Sequence, residues 1–138
     1  MRSLRRPLEA LSFLAAALLF AGCGGGSQVK LVVRAEKEAN ARRPFYVLVR
    51  NVDDKTYLEE SYQVVAGKVM ARDASVLEAV MVFPGARKTI EVEKPEKGSL
   101  GVYFLLTRPG GQWKALVEQP VPGKLEFSVE GDHMRKVE

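Results

Sequence analysis

The chain has 138 residues and a formal net charge of +4, a length that suits one compact domain and excludes two sizeable ones. One cysteine and one histidine exclude an internal disulfide framework, and any metal site or Ser-His-Asp arrangement would have to use His133. Lys, Arg, Asp and Glu are interleaved without a run of like charge, which excludes the basic patch of a nucleic-acid binder.

The chain opens on Arg2, Arg5 and Arg6, followed by an apolar run over 11–21 broken by little more than Ser12. This order of charged start, short apolar stretch and small residues is that of a secretory signal. The run is too short to span a bilayer, which needs roughly 20 apolar residues. It ends in Leu18-Leu19-Phe20-Ala21-Gly22-Cys23, and Gly24-Gly25-Gly26-Ser27 follows. A cysteine directly after Ala21-Gly22 resembles a bacterial lipobox, in which Cys23 is acylated and becomes the new N-terminus. The plainer alternative is an ordinary signal peptide beside an unrelated cysteine. The expected division is a lipoprotein signal peptide over 1–22, an acylated Cys23 with a Gly-rich tether over 23–27, a folded domain over 28–134 and a polar tail over 135–138. Gly24, rather than Asp, after the cysteine favours an outer-membrane destination. The signal holds about half of the net charge, so the mature domain is nearly balanced. With Cys23 carrying lipid the domain must rest on its apolar core, and no cofactor is expected beyond that lipid.

The domain reads as short strands separated by turn residues. Segment 29–35 places Val29, Leu31 and Val33 on one face. Pro44 opens 45–50, where Phe45, Val47 and Val49 align. Segment 79–83 closes on Pro84-Gly85, and 88–93 alternates charged residues with Thr89, Ile90 and Val92. Segment 100–107 is too apolar for a half-exposed strand and is expected at a sheet centre. Pro109-Gly110-Gly111 turns the chain into 113–118, and Pro122-Gly123 turns it into 124–130, with Leu125, Phe127 and Val129 on one face. Strands at this spacing predict an all-β sandwich. Its expected core holds Leu31, Val33, Val47, Val49, Ile90, Val102, Phe104, Leu125 and Phe127, with Trp113 packed at the edge. Segment 54–71 departs from the pattern. Tyr57, Leu58, Tyr62, Val65 and Val69 fall on one helical face, with Asp53 or Asp54 as N-cap and Gly67 weakening or ending the helix. Val64-Val65 could instead belong to a strand.

Catalytic equipment is sparse. His133 reads as a solvated tail residue. The pairs Asp53-Asp54 and Glu59-Glu60 could form a two-carboxylate site, but neighbouring carboxylates in a polar stretch are ordinarily just solvated, and adjacent ones do not face one another on a helix or strand. The glycine run lacks the strand before it and the Lys-Ser/Thr after it that a phosphate loop needs.

In order and spacing, these segments resemble the TssJ family, also called SciN or VasD. These are the outer-membrane lipoproteins of the type VI secretion membrane complex. The matching features are the strand 29–35 followed by Asn40, then Pro44 with Phe45-Tyr46-Val47-Leu48-Val49-Arg50. The aromatic helical region with Tyr57 and Tyr62 follows. Phe83-Pro84-Gly85 with Thr89-Ile90-Glu91-Val92, Leu100-Gly101-Val102 and the Trp113-Lys114 pair complete the order. Lys114 stands where the family more often has Arg, and the loop 36–43 is short.

The resemblance implies a transthyretin-like two-sheet sandwich. It also implies a lipid-anchored adaptor on the outer membrane, facing the periplasm and binding the periplasmic domain of the inner-membrane component TssM. It places the contact in the loop 36–43, through Glu36, Lys37, Glu38, Asn40, Arg42 and Arg43. Arg42 and Arg43 would pair with partner carboxylates. The alternative for that loop is a solvated turn. For the whole protein, the alternatives are another small periplasmic lipoprotein, of the pilot or inhibitor kind, and, behind it, an enzyme.

Overall fold

The computed structural model describes residues 27–137. The signal over 1–22, Cys23 and residues 24–26 of the tether lie outside the described residues.

Among the described residues there are eight strands, most of them built from alternating apolar residues rich in Val. They are β1 (Gln28–Ala35), β2 (Phe45–Val52), β3 (Val76–Val82), β4 (Arg87–Glu93), β5 (Ser99–Leu105), β6 (Lys114–Val117), β7 (Lys124–Glu130) and β8 (His133–Val137). They form two four-stranded sheets, ordered β4-β1-β7-β8 and β3-β2-β5-β6. Strands β1 and β7 run parallel, and the other neighbours are antiparallel. The all-β sandwich expected from the strand pattern is the fold found.

The expected core is found between the sheets. Leu31, Val33, Ile90, Leu125 and Phe127 meet Val47, Val49, Val102 and Phe104 there, all buried. Strand β5 is central and buried on both faces, as its composition predicts. Leu100, Val102 and Phe104 face the core, and Gly101 and Tyr103 face outward. The Tyr103 ring lies back over Gly101, where a Cβ would sit 2.8 Å from Cε2 of that ring, so only glycine fits.

Four expectations need correction. The helical segment 54–71 is two helices, α1 (Asp54–Glu59) and α2 (Tyr62–Gly67). Each has its own cap: Asp53 accepts from the Thr56 amide, and Ser61 accepts from the Val64 amide. A second capping residue inside the helical pattern starts a second helix. Gly67 is the last helical residue, and Val64-Val65 is helical.

Trp113 is the second correction. It packs outside the sandwich, on the far face of β5. There it joins Leu48, Val65, Tyr57 and Tyr103 in a smaller apolar cluster under the helices. Its ring meets Tyr62 edge-on at 5.0 Å.

Third, the expected tail 135–138 is largely strand. Strand β8 pairs antiparallel with β7 through Met134↔Val129 to Val137↔Glu126, and Met134 joins the core. His133 sits in that strand, with Nδ1 3.2 Å from Asp132.

Fourth, the adjacent acidic residues are not merely solvated. Asp53 caps α1. Glu60 accepts from the Arg50 guanidinium at 2.8 Å, and Arg50 is buried under the helices. Arg50 also donates to Ser75 Oγ at 2.9 Å and lies 5.4 Å from the Tyr103 ring centroid. Lys68 joins Glu60 to Asp73. Hydrogen bonds from Lys68 and Ser75 hold the Asp73 carboxyl far below the usual range. Burial pushes the Tyr103 hydroxyl up to about 12.

Candidate functional site

Strand β1 crosses the sandwich from the end where the described chain enters to the opposite end. At about 3.3 Å per residue, its eight residues span roughly 25 Å. The pairing registers bring four connections together at that distal end: 36–44, 83–86, 106–113 and 131–132.

The loop 36–44 is built, and the alternative of a solvated turn does not hold for all of it: Ala39 is fully buried and joins the core. Asn40, Ala41 and Arg42 are all left-handed, with φ of 52, 52 and 63°. This conformation costs a non-glycine residue about 1–2 kcal/mol, and Asn tolerates it best. The cost is met by the Asn40 side chain, which is 4% exposed. Its Nδ2 donates to the carbonyls of Arg43 and Pro44, both at 3.1 Å. Its Oδ1 accepts from the Thr107 amide at 2.8 Å. The Asn40 amide donates to the Gly131 carbonyl at 2.7 Å. One residue therefore ties three distal connections together.

Asn40→Ala is expected to lower stability by about 2 kcal/mol, through the lost hydrogen bonds and the poorer left-handed fit. Asn40→Gly should recover the conformational part only. Urea unfolding of both variants checks the ordering.

The expected contact residues divide into two sets. Asn40 points inward and is the loop's keystone. Glu36, Lys37, Glu38, Arg42 and Arg43 are exposed. Arg42 is already engaged: its Nε and Nη2 donate to the two Glu38 carboxylate oxygens at 2.8 and 3.0 Å. Those hydrogen bonds hold the Glu38 carboxyl below its ordinary value. Arg42 and Arg43 thus stand in different surroundings.

Arg43 instead lines an open cleft of about 380 Å3 with Asn40, Ala41, Thr107, Arg108 and Asp132. Asp132 is held against the 106–113 connection by Gly110, whose amide donates to the Asp132 carbonyl at 3.0 Å. A Cβ on Gly110 would overlap the Asp132 carboxylate, so the approach requires glycine. A second, shallower groove on the other side of the loop is lined by Lys37, Glu38, Arg42, Pro44, Phe83 and Pro84. Phe83 is 56% exposed there.

Sequence reading missed Thr107, Arg108, Asp132 and Phe83 as neighbours of this loop. The one local signal was the turn residues around them; their convergence follows from sheet order. Among the described residues, no group of three His, Cys, Asp or Glu side chains could hold a metal ion. The arrangement is suited to recognition: a loop held by the Asn40 hydrogen bonds, two flanking clefts, and the exposed cations Lys37, Arg43 and Arg108.

The family model described as IglE, N-terminal domain, matches residues 46–129, from β2 into β7. No sequence match is found among curated proteins. Among solved structures, the chain is similar to Lip of Serratia marcescens, a membrane-bound component of the type VI secretion system. The TM-score is 0.67 at 16% identity, over 81% of this chain and 96% of that one. The type VI lipoprotein TssJ1 of Pseudomonas aeruginosa matches at a TM-score of 0.65 and 16% identity, over 80% and 95% of the two chains. A chain in a structure of the TssM C-terminal domain from EAEC matches at 0.65 and 15% identity, over 81% and 98%. These likenesses establish a shared fold.

Proposed function

Since the chain belongs to the IglE N-terminal domain family, we propose that it is a non-enzymatic adaptor of a type VI secretion membrane complex. In this reading Cys23 carries lipid and fixes the protein to the outer membrane, facing the periplasm. The distal loops bind the periplasmic domain of the inner-membrane component TssM. The fold shared with two type VI membrane components supports the assignment to that apparatus.

The observation that carries the adaptor reading is the polarity of the sandwich. Strand β1 begins at one end, and the loop built on Asn40 stands at the other, roughly 25 Å away. In this reading the first end holds the membrane while the other meets a partner. Each buried methylene contributes about 0.8 kcal/mol to anchoring, so two or more acyl chains hold the domain stably. Anchoring raises the local concentration of the docking end, so a modest interface suffices.

Two experiments test the two halves. Cys23→Ser should abolish acyl labelling and release the domain from the membrane fraction; retention with label would overturn the anchor. At the distal end, Arg43 and Arg108 are the cations lining the cleft. Their joint reversal to Glu should weaken binding to the TssM periplasmic domain by about tenfold or more, with a reduced salt dependence. Reversing Arg42 alone should have a smaller effect, because Glu38 already neutralises it. Unchanged affinity in the Arg43/Arg108 variant at low and physiological salt would move the interface elsewhere.

A further inference from the structure

Strand β3 is the outermost strand of its sheet, with β2 as its one hydrogen-bonded neighbour. Edge strands are usually protected by charge, shortness or proline. Strand β4 carries Arg87, Lys88, Glu91 and Glu93; β6 has four residues; β8 carries Arg135 and Lys136. Strand β3 has seven residues and a single charge, Glu78. Its last residues, Met81 and the adjoining Phe83, are exposed apolar side chains.

The outer rungs of β3 can be assigned. The amide of Ala79 is bound by the Glu78 carboxylate at 3.0 Å, and its carbonyl accepts from Arg72 Nη2 at 3.4 Å. Both backbone groups therefore point away from β2. In an antiparallel ladder this alternates, so Val80 and Val82 face β2 while Met81 presents its N–H and C=O outward. The Phe104 amide, which donates to the Trp113 carbonyl, fixes the same phase from the other side of β2. The edge thus has one rung closed by side chains and one rung open beside an apolar shoulder.

We propose that the β3 edge is a strand-addition site for an extended partner segment, apolar at alternate positions and acidic at its ends; this rests on the reading of the distal end as a docking surface. Main-chain pairing at Met81 would supply the binding, and Met81 and Phe83 would select apolar side chains. The flanks select the charge. Arg72 lies at one end of the strand, and Lys37 and Arg87 at the other, none in an ion pair among the described residues. Arg42 and Asp73 have partners within the chain. Antiparallel pairing of two copies would set Arg72 of one against Lys37 and Arg87 of the other, so like charges oppose self-association. The strand also runs straight into the groove lined by Lys37 and Phe83, which makes the edge continuous with the distal loops. The Glu78 and Arg72 contacts to Ala79 are the hydrogen bonds an incoming strand that extends past Met81 must displace.

Amide hydrogen exchange on the full chain, with and without the TssM C-terminal domain as probe, tests this. The Met81 amide should exchange about a hundredfold more slowly in the complex. Met81→Pro removes the outward N–H without breaking a rung to β2, and should weaken binding by about tenfold. Met81→Lys, which keeps the backbone intact, should weaken it in the same direction. Binding that leaves Met81 unprotected overturns the edge site while the adaptor reading stands. Protection of Met81 that rises with the chain's own concentration, without the probe, overturns the acidic partner in favour of self-pairing. Absence of any binding overturns the adaptor reading together with the edge site that rests on it.

Discussion

Replacing Phe104 by alanine is expected to lower stability by about 3–5 kcal/mol, the range for emptying a buried aromatic site. Phe104 is fully buried on β5, and its ring lies 5.3 Å from that of Phe127 on β7 of the facing sheet. The two rings join the layers where Val47, Val102 and Leu125 also meet. The packing around them cannot collapse without moving a strand in each sheet, so most of the cavity should persist. A domain of this size has about 5–15 kcal/mol in all, so the variant should be partly unfolded near 37 °C. Phe104→Leu keeps most of the volume and should cost less than about 1.5 kcal/mol. Urea unfolding of the Cys23→Ser chain carrying each change gives the comparison. A loss under about 1 kcal/mol for the alanine variant would mean that the sheets do not meet at this pair.

Removing the Glu60 carboxylate is expected to cost about 3 kcal/mol, at the low end for breaking a buried ion pair. The Arg50 side chain is 3% exposed and Glu60 17%, with 2.8 Å between them. Glu60→Ala leaves the guanidinium under α1 and α2 with Ser75 and the face of Tyr103, and no carboxylate. The value sits at the low end because those two contacts remain. Replacing both members, Arg50→Met with Glu60→Leu, should recover most of the loss, because no uncompensated charge stays buried. A double-mutant cycle by urea unfolding checks this. If the double variant is as unstable as Glu60→Ala, the cost lies in helix packing and not in the orphaned charge.

The strands were readable because period-two alternation reports burial directly. Val29, Leu31 and Val33 face the core along β1, and Leu125, Phe127 and Val129 do so along β7. Strand β8 was missed because His133-Met134-Arg135-Lys136-Val137 offers one core residue, Met134, among polar ones. Its strand character comes from pairing with β7, which no local pattern reports. The helical segment was read as one because its apolar spacing continues through Ser61. The break there follows from Ser61 capping a new helix and Glu60 turning toward Arg50, a partner ten residues away.

Local chemistry along the chain was enough for the fold class, the core list and the position of the distal loop, since each depends on residues close together in sequence. The resemblance singled out Asn40 as a contact residue without revealing what that residue holds. The loop's rigidity, the capture of Arg42 by Glu38, and the meeting of Arg43 with Arg108 and Asp132 came only with the folded sandwich. So did the lightly charged outer edge of β3. The physical reason is range. Burial periodicity and capping act within a few residues, whereas the distal end is assembled from four connections that strand order alone brings side by side.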